Sequence, residues 1–255
     1  MTLFDKMLAQ FALMASTTPA SKSRDPLVAL ADAKSSMAEA YRTVRTNLQF
    51  ANLDRARKSI LVTSAGPGEG KSTTVANLGV TMAMGGTRTL LVDSDLRRPT
   101  LHKFFNLSNS NGLTTLLADK RAPRDNIQPT GHPDLFVIPS GPLPPNPAEV
   151  LSSRRMAEFA DLVKDDFDLV LFDSPPIISL SDSLVLASYM EAVILVVKCG
   201  RFPHELIRQA KAQLEGVKAT FLGVLLNSVD LKNNGYYYGY YSDYYDSYGS
   251  QSGEK

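Results

Sequence analysis

One segment constrains this chain more than any other: Ile60-Leu-Val-Thr-Ser-Ala-Gly66-Pro-Gly68-Glu69-Gly70-Lys71-Ser72-Thr73. Its apolar, β-branched start reads as a buried strand. Closely spaced glycines end that strand, and a helical stretch follows. Glycine at 66, 68 and 70 lets the backbone fold so that successive N–H groups point inward around a phosphate chain. A helix opening near Lys71 adds the positive end of its dipole. Lys71 is expected to reach the β- and γ-phosphates, and the Ser72 hydroxyl to ligate Mg²⁺. This is a Walker A loop with Ala65 at its first, often glycine, position. Gly66, Gly68, Glu69, Gly70, Lys71, Ser72 and Thr73 are the expected nucleotide-binding residues.

The rest of the chain supplies the fold that such a loop needs. Apolar runs recur at 59–65, 89–95, 135–140, 168–175, 192–198 and 221–227, and helical patterns separate most of them, including 72–84, 147–164 and 203–215. Strands that are apolar throughout, alternating with helices, imply a parallel sheet covered on both faces. The expected class is α/β, a P-loop NTPase with a mostly parallel, doubly wound sheet. A length of 255 residues suits one such domain with extensions. The expected organisation is an N-terminal extension and linker over 1–26, a P-loop domain over 27–231 and a disordered tail over 232–255. With 27 basic and 26 acidic side chains the net charge is +1, so no global field points to nucleic acid or an anionic membrane. Leu3, Phe4, Met7, Leu8 and Phe11 fall at helical spacing. Residues 1–14 therefore read as a short amphipathic helix docking on a partner or on the domain, with weak membrane-surface contact as the rival reading. The stretch lacks the basic leader of a secretory signal. The single cysteine, Cys199, follows Val196 and Val197 and reads as a buried thiol, which fits a reducing compartment.

Two of the strand candidates end in carboxylates: Asp93-Ser94-Asp95-Leu96-Arg97-Arg98-Pro99 and Asp173-Ser174-Pro175-Pro176. In a parallel sheet both finish on the edge where the phosphate loop lies. Asp93, Asp95 and Asp173 are thus expected to converge on metal and γ-phosphate. Mg²⁺ needs one or two carboxylates besides phosphate oxygens and water, which leaves a spare as base for an attacking hydroxyl. A further strand ends in Asn227-Ser228-Val229-Asp230. Asn227 reads either as a purine contact or as a turn-forming residue, and ATP cannot be told from GTP there.

Eight of the ten tyrosines lie between 236 and 248: Tyr236, Tyr237, Tyr238, Tyr240, Tyr241, Tyr244, Tyr245 and Tyr248. The stretch lacks aliphatic side chains and carries glycines and aspartates, a composition that cannot build a core.

Taken jointly, SAGPGEGKST, LLVDSDLRRP, LVLFDSPP and the tyrosine-rich tail resemble the cytoplasmic bacterial protein-tyrosine kinases, or BY-kinases, from about Met37 to the C-terminus. Glu39-Ala-Tyr-Arg42-Thr-Val-Arg45 is similar to that family's oligomerisation motif, and Ser140–Glu149 to a characteristic loop opening a helix. The resemblance implies an ATP- and Mg²⁺-dependent tyrosine autokinase. Lys71, Asp93 and Asp95 would be catalytic, and Ser72, Asp95 and Asp173 would hold the metal. Asp93 is the implied base, with exchange of roles with Asp95 left open. The tail tyrosines would be phosphoacceptors. Glu39, Arg42 and Arg45 would join subunits into a homo-oligomer, a ring in this family. The implied partners are a transmembrane activator of the polysaccharide co-polymerase type and protein tyrosine substrates, not nucleic acid. The implied role is regulation of polysaccharide synthesis and export, at the inner face of the cell membrane. The alternative is a P-loop ATPase switch of the septum-positioning or partition type. Those proteins carry a signature lysine early in the loop, where this chain has Gly66.

Overall fold

The computed structural model describes residues 12–15, 27, 30, 32, 34–51, 56–119 and 123–229. Among the described residues eight strands form one sheet: β1 (Ala12–Ala15), β2 (Ser59–Ser64), β3 (Thr89–Asp93), β4 (Gln128–Pro129), β5 (Leu135–Ile138), β6 (Leu169–Asp173), β7 (Ala192–Lys198) and β8 (Phe221–Asn227). Their spatial order is β1-β8-β7-β2-β6-β3-β5-β4, and every adjacent pair is parallel except β4 with β5. Among the described residues the helices are α1 (Ser36–Ala51), α2 (Lys71–Met84), α3 (Leu101–Phe104), α4 (Leu113–Asp119), α5 (Pro147–Leu151), α6 (Arg154–Asp166), α7 (Asp182–Ala187) and α8 (His204–Gly216).

Alternate strand residues feed two cores. Ile60, Val62, Leu91, Leu171 and Ile194 face α1 and α2, meeting Tyr41, Val44, Val75 and Leu78. Leu61, Leu90, Phe172, Val193 and Leu195 face the opposite layer, meeting Leu116 of α4, Phe159 and Val163 of α6, Leu186 of α7 and Leu214 of α8. This two-sided burial is why β2, β3 and β6 read as unbroken apolar runs instead of alternating patterns. The phenol of Tyr41 is buried among these side chains, which pushes its pKa up to about 12.

Several elements differ from the sequence expectations. Ala12–Ala15 is a strand, not part of a helix, and it pairs with β8 from Ala12 opposite Val224 to Ala15 opposite Asn227. Without it β8 would present an edge of free backbone groups, and pairing there outweighs local helical spacing. Leu3 to Phe11, the linker over 16–26 and the tyrosine tail over 232–255 lie outside the described residues. The single helix expected over 147–164 is two, because the chain is recapped in its middle. Ser153 accepts a hydrogen bond from the Met156 N–H and starts α6. Pro147 stands in the first turn of α5, as a helix-opening loop requires. Cys199 is half-buried instead of buried, since β7 ends one residue earlier; burial still pushes its thiol pKa up. Among the described residues no helix is long and apolar enough to cross a membrane.

Phe172 is fully buried on β6, with its ring edge-on to Phe159 at 6.4 Å between centroids. Phe172→Ala is expected to cost about 3–5 kcal/mol. Urea unfolding checks this: the midpoint should fall while the slope of the transition stays unchanged.

Candidate active site

The loop between β2 and α2 is braced from inside by its own glutamate. Glu69 is fully buried, and its carboxylate accepts hydrogen bonds from the Gly66 N–H at 2.7 Å and the Lys198 N–H at 3.0 Å. Burial pushes its pKa up, while these backbone donors and Lys71 draw it back. The Glu69 carbonyl in turn accepts from the Asn227 side-chain amide at 2.9 Å, and Asn227 Oδ1 accepts from the Ser228 N–H at 2.8 Å. Asn227 therefore ties the loop to the end of β8. Gly70 sits at φ +89°, and a Cβ there would collide with that amide. A side chain on Gly66 would meet the ring of Phe202. A side chain at either position would have to displace Phe202 or Asn227, and the positive φ of Gly70 favours glycine in its own right. Lys71 is the first residue of α2 and nine-tenths buried.

The three carboxylates gather where the topology requires. Asp93 and Asp173 are register partners at the ends of β3 and β6, and β6 lies next to β2. Asp93 is fully buried; its Oδ2 accepts from the Thr100 and Leu101 N–H groups, each at 2.9 Å, and its Oδ1 has no partner. Asp95 Oδ1 accepts from the Arg98 N–H at 3.0 Å and the Arg97 N–H at 3.3 Å. Neither oxygen of the buried Asp173 has a partner at hydrogen-bonding geometry, although the Ser72 side chain is near enough to act on it. Burial is the main cause that pushes Asp173 up to about 7; Ser72 and Lys71 pull it back, and Asp95 adds to the rise. Asp93 is raised well above the ordinary carboxylate range, first by burial and next by Asp173.

The orphaned oxygens of Asp173 fit a cation whose other ligands come from phosphate and water. Among the described residues no cluster of three or more His, Cys, Asp or Glu could hold a metal by itself. Such a site suits Mg²⁺, which is bound through one or two carboxylates plus phosphate oxygens. Ser72, Asp95 and Asp173 could hold it, and Gly68 and Gly70, both at positive φ, shape the cradle.

Three features escaped the sequence reading. Arg201 and Phe202, just after β7, lie over Gly68 and Gly66. Asp182, the first residue of α7, forms a two-pronged ion pair with Arg97. Both pairings join residues far apart in sequence, and no local pattern marks them. The third concerns Arg45 alone, since a pair within one helix between Glu39 and Arg42 is what their spacing of three allows. Glu39 pairs with Arg42 on α1, whereas the Arg45 guanidinium donates to the Thr81 carbonyl at 3.0 Å, in the last turn of α2.

A strand–glycine loop–helix unit, a buried lysine and carboxylates at neighbouring strand ends define a nucleotide-binding P-loop protein. A family described as an AAA domain matches residues 57–225. The tyrosine-protein kinase YwqD of Bacillus subtilis is 43% identical over 214 residues, spanning 83% of this chain and 90% of the relative. The solved structure of the chimerical protein CapA2B2 superposes with a TM-score of 0.80 at 35% identity, covering 88% of this chain and 98% of that one. The kinase domain of the Escherichia coli tyrosine kinase ETK follows at a TM-score of 0.77 and 30% identity, covering 88% and 87%. The chain belongs to the bacterial tyrosine-protein kinases, and its enzymatic class is protein-tyrosine kinase.

Because the folded chain holds the Asp173 proton more tightly than the unfolded chain, stability falls as pH rises from the ordinary carboxyl range to about 7. Thermal unfolding of the metal-free, nucleotide-free protein should show this fall, and Asp173→Asn should make it shallower. The same variant should lose the extra stabilisation that Mg²⁺ adds to ADP. Glu69→Ala leaves the buried Gly66 N–H and the part-buried Lys198 N–H without an acceptor, and should weaken ADP binding about tenfold in a fluorescence titration.

Proposed function

We propose that this kinase transfers the γ-phosphoryl group of ATP, with Mg²⁺, to the tyrosines at 236–248, chiefly on a neighbouring subunit. The observation that carries the reading is the convergence of Asp93, Asp95 and Asp173 beside Lys71 and Ser72, with Asp93 Oδ1 and both Asp173 oxygens left unpaired in a buried site.

In this mechanism the phenolic oxygen attacks the γ-phosphorus, the bond to the β-phosphate oxygen breaks, and ADP leaves. The phenolic proton passes to a carboxylate. Asp93 is the assigned base through its free Oδ1, and Asp95 is the residue that could exchange roles with it. Lys71 and the inward N–H groups of the loop stabilise charge on the transferring group, where positioning and electrostatics carry most of the catalysis. Mg²⁺, held by Ser72, Asp95 and Asp173, would supply charge neutralisation on the phosphates. Asn227, already bonded to the loop, stands at the end of β8 as a candidate purine contact.

The tail is a suitable acceptor on composition alone, being glycine-bearing, hydrophilic apart from its rings and free of aliphatic residues. Each phosphate adds roughly −1.5 to −2 charges, so a multiply phosphorylated tail would be repelled by the acidic site. That repulsion would loosen a ring of subunits. Glu39 and Arg42 on α1 are the candidate subunit contacts, with Arg45 acting also within its own chain. By family, the reading extends to control of capsular or exopolysaccharide synthesis. A transmembrane activator would recruit the kinase to the inner face of the membrane.

A mixing experiment tests the reading. Lys71→Met should fold and transfer nothing by itself. Mixed with a chain whose eight tail tyrosines are Phe, it should gain phosphate on residues 236–248, read by peptide mass spectrometry. Phosphate on Lys71→Met incubated alone would overturn the mechanism. No phosphate in the mixture would overturn transfer between subunits.

A further inference from the structure

The start of α7 touches both carboxylate stations at once. Asp182 is fully buried, and its oxygens accept from Arg97 Nε at 2.8 Å and Arg97 Nη2 at 3.2 Å. Arg97 is also the residue whose backbone N–H, with that of Arg98, donates to Asp95 Oδ1. The next residue, Ser183, donates to the Pro175 carbonyl and lies 3.1 Å from the Ser174 hydroxyl. The Pro175 carbonyl also takes the Thr63 hydroxyl at 2.9 Å, and Ser174 directly follows Asp173. Two adjacent residues of one helix thus hold the loop that carries Asp95 and the loop that carries Asp173.

We infer that Asp182 is a positioning residue: acting through the Arg97 fork, it sets Asp95 against Asp173 so that the pair presents a preformed site to a hydrated divalent cation. The inference rests on the magnesium reading above. A pair of this kind is poorly explained as a source of stability. With Asp182 buried and Arg97 part-exposed, the cost of withdrawing the carboxylate from water offsets much of the attraction, so the weight of the pair falls on geometry. Geometry is also what a planar guanidinium supplies, since two parallel bonds to one carboxylate fix distance and orientation together. Arg97 keeps 39% of its side-chain surface exposed, so its head is not locked by packing; the Asp182 carboxylate is what holds it. Loss of that hold would free the Arg97 backbone, and with it one of the two N–H groups that orient Asp95. Groups that orient a metal ligand typically contribute about 10–100-fold to metal affinity.

The test uses the full chain and a fluorescent ADP analogue, titrated once with Mg²⁺ and once with EDTA. The ratio of the two affinities measures the metal's contribution without any transfer reaction. Asp182→Asn keeps the shape of the side chain and removes its charge. Arg97→Lys keeps the charge and removes the fork. Each is expected to lower the Mg²⁺ enhancement about tenfold and to leave the EDTA affinity within about twofold of wild type. Because the two act as one unit, the double variant should lose no more than either single one. Should Asp182→Asn fail to fold, Arg97→Lys, at a part-exposed side chain, carries the test. Unchanged enhancement in the variants overturns this inference alone. An EDTA affinity that falls in parallel with the Mg²⁺ affinity also overturns it, since it marks a general packing role. A wild-type chain with no Mg²⁺ enhancement overturns the magnesium reading, and this inference with it.

Discussion

Parallel pairing sets Asp93 directly opposite Asp173 at the mouth of the sheet, both almost wholly withdrawn from water. Carboxylates in that position repel each other and lose hydration, so the folded chain holds their protons longer than water would. The surroundings offset this unevenly. Backbone N–H groups ahead of and within α3 take one oxygen of Asp93, and the Arg97 and Arg98 N–H groups take one oxygen of Asp95. Asp173 receives no backbone N–H, and has only the Ser72 side chain and Lys71 nearby to offset its burial. A site that withholds partners from a buried carboxylate gives up stability to keep that carboxylate available, the usual physical signature of chemistry taking precedence over packing.

The phosphate loop solves a different problem with the same economy of parts. A run of glycines around a phosphate chain has little side-chain packing to hold its shape. Here the shape is held by Glu69, whose carboxylate and carbonyl reach Gly66, β7 and β8. Asn227 completes the link, so β8, the strand next to the β1 edge, is wired to the loop at the centre of the sheet. On the outer face, Arg45 ties α1 to the closing turn of α2, the helix that begins with Lys71. Elements that look peripheral in the chain thereby share in fixing the nucleotide cradle.

What was legible in the sequence follows from the range over which each signal acts. The strand ends at Asp93 and Asp173 and the glycine–lysine–serine turn are local patterns, and all stand where the alternation of strands and helices placed them. The helices α4 and α7 went unread because seven and six residues hold too few turns to show a period. The strand at Ala12–Ala15 exists through its pairing with β8, a partner more than two hundred residues away. The split at Ser153 depends on a cap that competes with an otherwise continuous helical pattern.

Asp182 and Arg97 show the limit most clearly. Each alone reads as an ordinary charged residue, and only the placement of the start of α7 beside the loop that follows β3 turns them into a pair. The sequence by itself determined the class of fold, the phosphate loop and the identity of the three acidic residues, because period, glycine content and strand-end chemistry are properties of short stretches. Only the tertiary structure decided which backbone groups those acids receive, what braces the loop from within and where each arginine is spent. Such contacts are set by strand register and helix packing, which join residues that no local pattern connects.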